Sequence, residues 1–318
     1  VPNLPQNLFV GTSGWSYPDW EGIFYPRRKP AGFDELRYLA QFFNSVELNN
    51  TFYRPPVASY AQSWVERTQD AGRFHFTLKL WQRFTHGIVP PGPAGEIDPP
   101  GRAGPLATPY AAEDVSLFKR GIEPLAQSDR LGGILIQFPW SFQNTPETRD
   151  YLARLSADFR EYRRFIEVRH RSWQNDQSFA FFRELGLNWT NIDQPVSRDS
   201  VTPSAVVTGD AAYVRLHGRN AQAWFDREAG RSDRYNYLYS DDELDEWVRK
   251  IRELAGAADF VYAFANNHFR AQAPANALQI MSKLSGAAVH VPESLAETYP
   301  FLRDIARKDP GDRTQTLF

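Results

Sequence analysis

The chain is 318 residues long, carries a formal charge of −2 and is 42% apolar, with 9 Trp, 14 Tyr and 23 Phe but no cysteine. Thiol catalysis, disulfides and thiolate metal sites are thereby excluded, and the charge argues against a broad basic nucleic-acid footprint while leaving a local basic groove open. No apolar run approaches the ~20 residues a bilayer span needs, and the N-terminus has no signal-peptide pattern, so a cytoplasmic protein without a membrane partner is expected.

Residues 9–14 (FVGTSG) read as a first strand ending in small residues. A loop over 15–30 follows, rich in aromatics and broken by Pro18, Pro26 and Pro30; Asp34 then caps a helix reaching about Phe43. Residues 46–49 form a short strand with Val46 and Leu48 on one face and Glu47 and Asn49 on the other, because strand side chains alternate. A helix over about 57–71 leads to 74–80 (FHFTLKL), which alternates cleanly between Phe74, Phe76, Leu78, Leu80 and His75, Thr77, Lys79. The loop over 81–109 is crowded with Pro and Gly and is too long for an ordinary connection, so an insertion or lid is expected after this third strand.

A helix over about 112–127 precedes the apolar run 131–138 (LGGILIQF), of the kind buried on both faces of a parallel sheet. Helix 146–158 precedes strand 164–170, helix 178–185 precedes strand 188–193, and a loop to Asp210 precedes strand 211–218. A second polar, aromatic loop spans 219–240. Asp241 or Asp242 then caps a helix to about Leu254, strand 260–267 follows, and a last helix runs over about 274–284.

Eight strands alternating with helices predict a parallel sheet, and eight units favour a closed (β/α)8 barrel of the TIM type, a fold of ~250 residues plus loops. The expected organisation is one domain over 1–318, with its core at about 9–285 and a tail over 286–318 packing outside. An open doubly wound sheet is the rival, but it usually carries a glycine-rich phosphate turn after its first strand. The segment 11–14 (GTSG) does not fit that pattern.

The strand ends supply a polar ring: Ser13; Glu47 and Asn49; Thr77 and Lys79; Gln137; Glu167 and Arg169; Asn191 and Asp193; Arg215 and His217; and Asn266 or Asn267. Catalytic groups of such barrels sit at the carboxyl ends of the strands, so this ring is the candidate mouth. Glu47, Glu167 and Asp193 nearly cancel Lys79, Arg169 and Arg215. A buried salt-bridge network is one reading of that balance. The favoured reading is an anionic small-molecule or phosphate-containing ligand held by the cations.

Glu47 and Glu167 are the candidate acid/base pair and His217 the candidate proton-transfer residue of a hydrolytic or isomerising reaction. A metal between Glu47, Glu167, Asp193 and His217 is disfavoured by the interleaved arginines, so no metal and no cofactor is evident. Lys79 has Schiff-base chemistry available if it is desolvated, but nothing marks a pyridoxal-phosphate site. Aromatics after the strands, including Trp15, Tyr17, Phe52, Tyr53, Trp81, Trp140 and Trp173, either fill the core or make stacking walls for a sugar or base. The alternative function is accordingly a non-catalytic protein binding a sugar or nucleic-acid fragment. Oligomeric state is not legible.

The segments 11–17 (GTSGWSY) and 46–53 (VELNNTFY) resemble the YecE-like family, a group of bacterial and archaeal proteins of unknown function. So do 76–79 with Thr85 and His86, 135–139 (LIQFP), 167–169 with Ser172 and Trp173, 214–218 (VRLHG), 234–237 (RYNY) and 264–267. The resemblance implies a (β/α)8 barrel, and from these segments Trp15, Tyr17, Asn49, Tyr53, His86, Gln137, Trp173 and Tyr237 join the binding candidates. It supplies no reaction, cofactor or catalytic residue. The chain departs from the family in the segment 87–109 and at His268, where an acidic residue is usual.

Overall fold

The computed structural model describes residues 4–86, 110–226 and 230–307. Eight parallel strands close into a barrel in sequence order: β1 (Leu8–Ser13), β2 (Ser45–Leu48), β3 (His75–Lys79), β4 (Leu131–Gln137), β5 (Arg164–Glu167), β6 (Leu187–Asp193), β7 (Ala211–Leu216) and β8 (Phe260–Ala265). The circle shuts where β1 pairs with β8, with Phe9 opposite Tyr262 and Gly11 opposite Phe264. The (β/α)8 expectation therefore holds and the open sheet does not.

Each strand divides its residues between two layers. Val10, Val46, Leu48, Phe76, Leu78, Ile166, Val214 and Leu216 face outward and join the large core beneath the helices. Phe9, Leu135, Phe165, Tyr213, Tyr262 and Phe264 face inward and fill the barrel. Aromatic stacking orders this inner plug: Phe9 lies 4.1 Å from the His75 ring, and Tyr213 lies 4.5 Å from Phe165. The lower barrel is thus closed by side chains, with Arg73 lying 4.4 Å from the centre of the Phe9 ring, and the charged strand-end residues lie above it.

The connecting helices start where side-chain caps satisfy their first amides. Asp34 accepts from the Arg37 amide at 2.8 Å, and Asn175 from that of Ser178 at 3.0 Å. The helix Asp241–Ala257 begins one residue earlier than Asp241 as cap would require, and two earlier than Asp242 would. Ser240 caps it, with Glu243 returning a bond to the Ser240 amide, because Ser-x-x-Glu makes a reciprocal capping box. The second polar loop holds two short helices, Ala221–Phe225 and Arg231–Arg234, that carry no periodic pattern. Beyond the last barrel helix, Glu293–Thr298 lies against the loop after β1, where Ser294 donates to the Ile23 carbonyl at 2.7 Å. The expected insertion over 87–109 falls outside the described residues, as does the end of the tail.

Inside the barrel, His75 Nδ1 meets the Tyr262 hydroxyl at 2.8 Å. Burial, reinforced by Arg73, pushes this imidazole down to about 4. Between that value and an ordinary histidine pKa of about 6.5, His75 is neutral in the folded chain and protonated in the unfolded one. Unfolding then takes up a proton, so stability falls as pH drops from about 6.5 towards 4. His75→Gln, which cannot titrate but keeps a polar group near Tyr262, should show a shallower decline of melting temperature across that window. Parallel slopes would refute the assignment.

Candidate functional site

The charged layer sits on the inner faces of the strand ends, directly above the aromatic plug. Arg215 on β7 is fully buried and spans the barrel. One guanidinium nitrogen (Nη2) donates to Glu47 Oε1 at 2.7 Å, and the other (Nη1) donates to Glu167 Oε2 at 2.6 Å and to Gln137 Oε1 at 3.1 Å. Tyr213, two residues earlier on the same face, donates to Glu47 Oε2 at 2.7 Å and is itself 2.7 Å from Thr77 Oγ1. Arg169 donates to the second Glu167 oxygen at 2.7 Å and to Gln194 at 2.9 Å.

Both carboxylates are therefore engaged. Burial pushes Glu167 up, but Arg215 and Arg169 more than offset this and hold its carboxyl well below the usual range. Arg215 is driven the other way: burial opposes its charge, and Glu167 and Glu47 outweigh that and raise its pKa. Paired, hydrogen-bonded charges of this kind are how ions persist in an interior. The expected free acid/base pair is thus a fixed bridge through one arginine.

His217 is fully buried on the same rim. The Asn266 amide donates to its Nδ1 at 2.8 Å, which leaves the ring proton on Nε2. Nε2 lies 3.6 Å from Glu167 Oε1, beyond hydrogen-bond distance. Burial first, and Arg215 second, push its pKa down to about 3, so the ring is a neutral N–H donor at ordinary pH.

Lys79 on β3 differs from the other cations. Its ammonium makes no ion pair or hydrogen bond among the described residues, and Nζ stands 5.1 Å from the centre of the Phe52 ring. Burial and the nearby Arg215 push it down to about 7, against the pull of Glu47 and Glu167.

Asp193 and Asn191 do not join this group. On β6, Trp189 packs on Phe179 and Phe182 of the helix Asp176–Glu184, and this fixes the strand's phase. Asp193, sharing that outer face, accepts from Arg219 at 2.9 Å and from Trp247 at 3.1 Å. Ile192 stands inward instead, paired in register with Arg215. The four-residue metal set thus loses one member, and among the described residues no three His, Asp or Glu gather for a metal ion.

The two asparagines after β8 also split. Asn266 faces His217, whereas Asn267 turns outward to the Tyr237 carbonyl at 2.8 Å and to Asn276 at 2.8 Å. Trp173 is core: it is fully buried, bonded to the Phe142 carbonyl and stacked between Phe142 and Phe182. Tyr237 donates to Glu243 at 2.6 Å.

Nearer the mouth, Trp15 meets Trp64 edge-on, and Tyr17 donates to the Ser13 carbonyl at 2.5 Å and stacks on His268 at 4.5 Å. Tyr53 is 38% exposed and meets Phe52 edge-on, as does His86, whose Nδ1 lies 2.7 Å from Thr85 Oγ1. Asn49 follows β2 at the same rim, half-buried.

Three contributors escaped the sequence reading. Tyr213 was legible in principle, since it lies two residues before Arg215 and so shares its face. Trp224, whose ring carries the Arg169 guanidinium at 5.6 Å and lies 6.0 Å from His217, had no such signal. Tyr235, 5.1 Å from His268, lies within the family-like segment 234–237 but was not itself marked there. Both come from the aperiodic loop after β7.

Comparison with known proteins places this arrangement in a family. The sequence profile described as "Protein of unknown function DUF72" matches residues 9–299. The chain belongs to the DUF72 family. It is 27% identical over 286 residues to UPF0759 protein YunF of Bacillus subtilis, covering 87% of this chain and 94% of that protein. A DUF72 crystal structure from Thermotoga maritima is similar at 31% identity with a TM-score of 0.70, covering 87% of this chain and 98% of that one. Another DUF72 structure, from Enterococcus faecalis, shares the fold at 24% identity and a TM-score of 0.72, covering 89% and 97%. These relatives carry the DUF72 and UPF0759 labels rather than the YecE-like one. Among the described residues of this DUF72 chain, no helix is long and apolar enough to cross a membrane.

Proposed function

We propose that this DUF72 protein is an enzyme binding a small anionic molecule, carboxylate- or phosphate-bearing, at the carboxyl-terminal mouth of its barrel. The observation that carries the reading is a set of buried polar atoms on that rim with no hydrogen-bond partner among the described residues: Ser13 Oγ, Asn49 Oδ1, Arg215 Nε and His217 Nε2. A buried donor or acceptor left unmatched costs about 1–3 kcal/mol, so native folds rarely keep several together without a use for them.

The roles divide by what each group has left to offer. Arg169 spends one N–H on Gln194 and one on Glu167, and a guanidinium has five; the remainder suit a carboxylate or phosphate. Its guanidinium also lies 5.6 Å from the centre of the Trp224 ring. Glu47, Glu167 and Tyr213 hold Arg215, and Arg215 fixes the charge of the floor. His217 offers a neutral N–H, and Lys79 is the group able to give and take a proton. The chemistry supported is hydrolytic or isomerising proton transfer.

A thermal-shift screen of carboxylates and phosphates tests this. At a hundredfold excess over its Kd, a ligand specific for the folded state adds about 2.7 kcal/mol. Wild type should be stabilised by at least one member of the set, and Arg169→Ala, although destabilised by the loss of its bond to Glu167, should lose the response. If no anion moves the wild-type transition, the reading fails.

A further inference from the structure

We infer that Lys79 is a carbonyl-reactive lysine, and that the ligand of the mouth is an aldehyde or ketone which it captures as an imine. The inference rests on the mouth being a ligand site, as proposed above, and adds the substrate class and the covalent step.

The chain has six lysines, five of them among the described residues. Lys29 is held by Glu21 and Glu35, Lys119 by Glu161, Lys250 by Glu246, and Lys283 by Asp241 and Asp245. Each of these ammonium groups is paired with at least one carboxylate. Lys79 is the exception among them: it lies on the inner face of β3, with the Phe52 ring for company and, among the described residues, no carboxylate within ion-pair distance.

The acids that would otherwise claim Lys79 are already spoken for. Glu47 is filled by Arg215 and Tyr213, and Glu167 by Arg215 and Arg169. The bridge thus has a consequence beyond its own stability, since among the described residues it leaves Lys79 near Arg215 and Arg169 with no carboxylate in ion-pair contact, Glu47 and Glu167 acting on it only from a distance. Neighbouring cations and desolvation are the means by which a lysine is kept as a free amine, and the free amine is the nucleophile. The lowering of Lys79 to about 7 agrees with that geometry.

The step balances without a further reagent. The Lys79 nitrogen lone pair adds to the carbonyl carbon, the π pair moves onto oxygen, and a proton passes from nitrogen to that oxygen, giving a carbinolamine. Loss of the hydroxyl with the second nitrogen proton releases one water and leaves the C=N bond. Nothing is oxidised or reduced. An anionic group on the same molecule would fall to Arg169.

The test uses the full chain with glycolaldehyde phosphate or neutral glycolaldehyde at neutral pH, with sodium cyanoborohydride to fix any imine, followed by peptide mapping. The expected result is reduced adduct on Lys79 at least about tenfold above any other lysine, with labelling that rises through pH 7 rather than near the usual lysine value of about 10.4. Lys79→Met and Lys79→Arg should melt at or above the wild-type temperature, since no ion pair is lost, and should carry no such adduct. Adducts spread evenly over the lysines, or none at Lys79, would overturn the proposal. Should carboxylates and phosphates without a carbonyl still stabilise wild type in that case, the anion site stands and the imine alone has failed. Labelling of Lys79 by glycolaldehyde with no anion effect would support the imine and count against the anion site.

Discussion

Arg215→Met is expected to lower the unfolding free energy by about 3–5 kcal/mol, because it strands two buried carboxylates that now share one guanidinium. The measurement is the urea midpoint, with the slope checked so that a change in compactness is not read as a change in stability. Arg215→Lys should recover little, since a single ammonium cannot offer separate nitrogens to Glu47 and Glu167 at 2.7 and 2.6 Å. The triple variant Arg215→Met with Glu47→Gln and Glu167→Gln removes the stranded charge and should regain most of the loss. A midpoint unchanged in Arg215→Met would mean the bridge holds nothing. Failure of the triple variant to recover would mean that the arginine acts through packing rather than charge.

Gly11→Ala is expected to be comparably damaging for a different reason. A Cβ at Gly11 would fall 1.8 Å from the Ser45 carbonyl oxygen, which is backbone of the neighbouring strand. Ser45 is also the register partner of Gly11, so the clash sits on the first rung between β1 and β2. Overpacking against a side chain costs about 1–3 kcal/mol; here the obstacle cannot rotate away, and the loss should lie at or above the top of that range. Circular dichroism melting and soluble yield would register it. Displacement of β1 from β2 would also shift Ser13 relative to Glu47, so any ligand response at the mouth should weaken together with stability. Wild-type melting in Gly11→Ala would refute the close approach.

The barrel itself was legible because its signal is repeated. Eight apolar segments spaced by amphipathic helices leave few architectures, and each strand reinforces the next. Facing was legible wherever one side of a strand is plainly apolar, as for Val46 and Leu48 against Glu47, or Val214 and Leu216 against Arg215. It was misread on β6, where polar Asn191 and Asp193 share a face with Trp189. Size and shape decide there: the indole needs the wide space between sheet and helix, and the polar groups on its side find partners in Ser204 at 2.8 Å and Arg219 at 2.9 Å. Polarity alone cannot foresee such partners, since they come from a loop and from beyond the next strand.

What the sequence by itself determined is the closed parallel barrel and the identity of the residues at its rim, because strand alternation and helix periodicity are local properties. Which of those residues are spent on one another was decided only by the tertiary structure. Arg215 meets Glu47 and Glu167 from 168 and 48 positions away, and that pairing leaves the Lys79 ammonium without an ion-pair partner among the described residues. Closure of the ring brings these ends within hydrogen-bond range, and no pattern confined to a single strand encodes which charge will reach which.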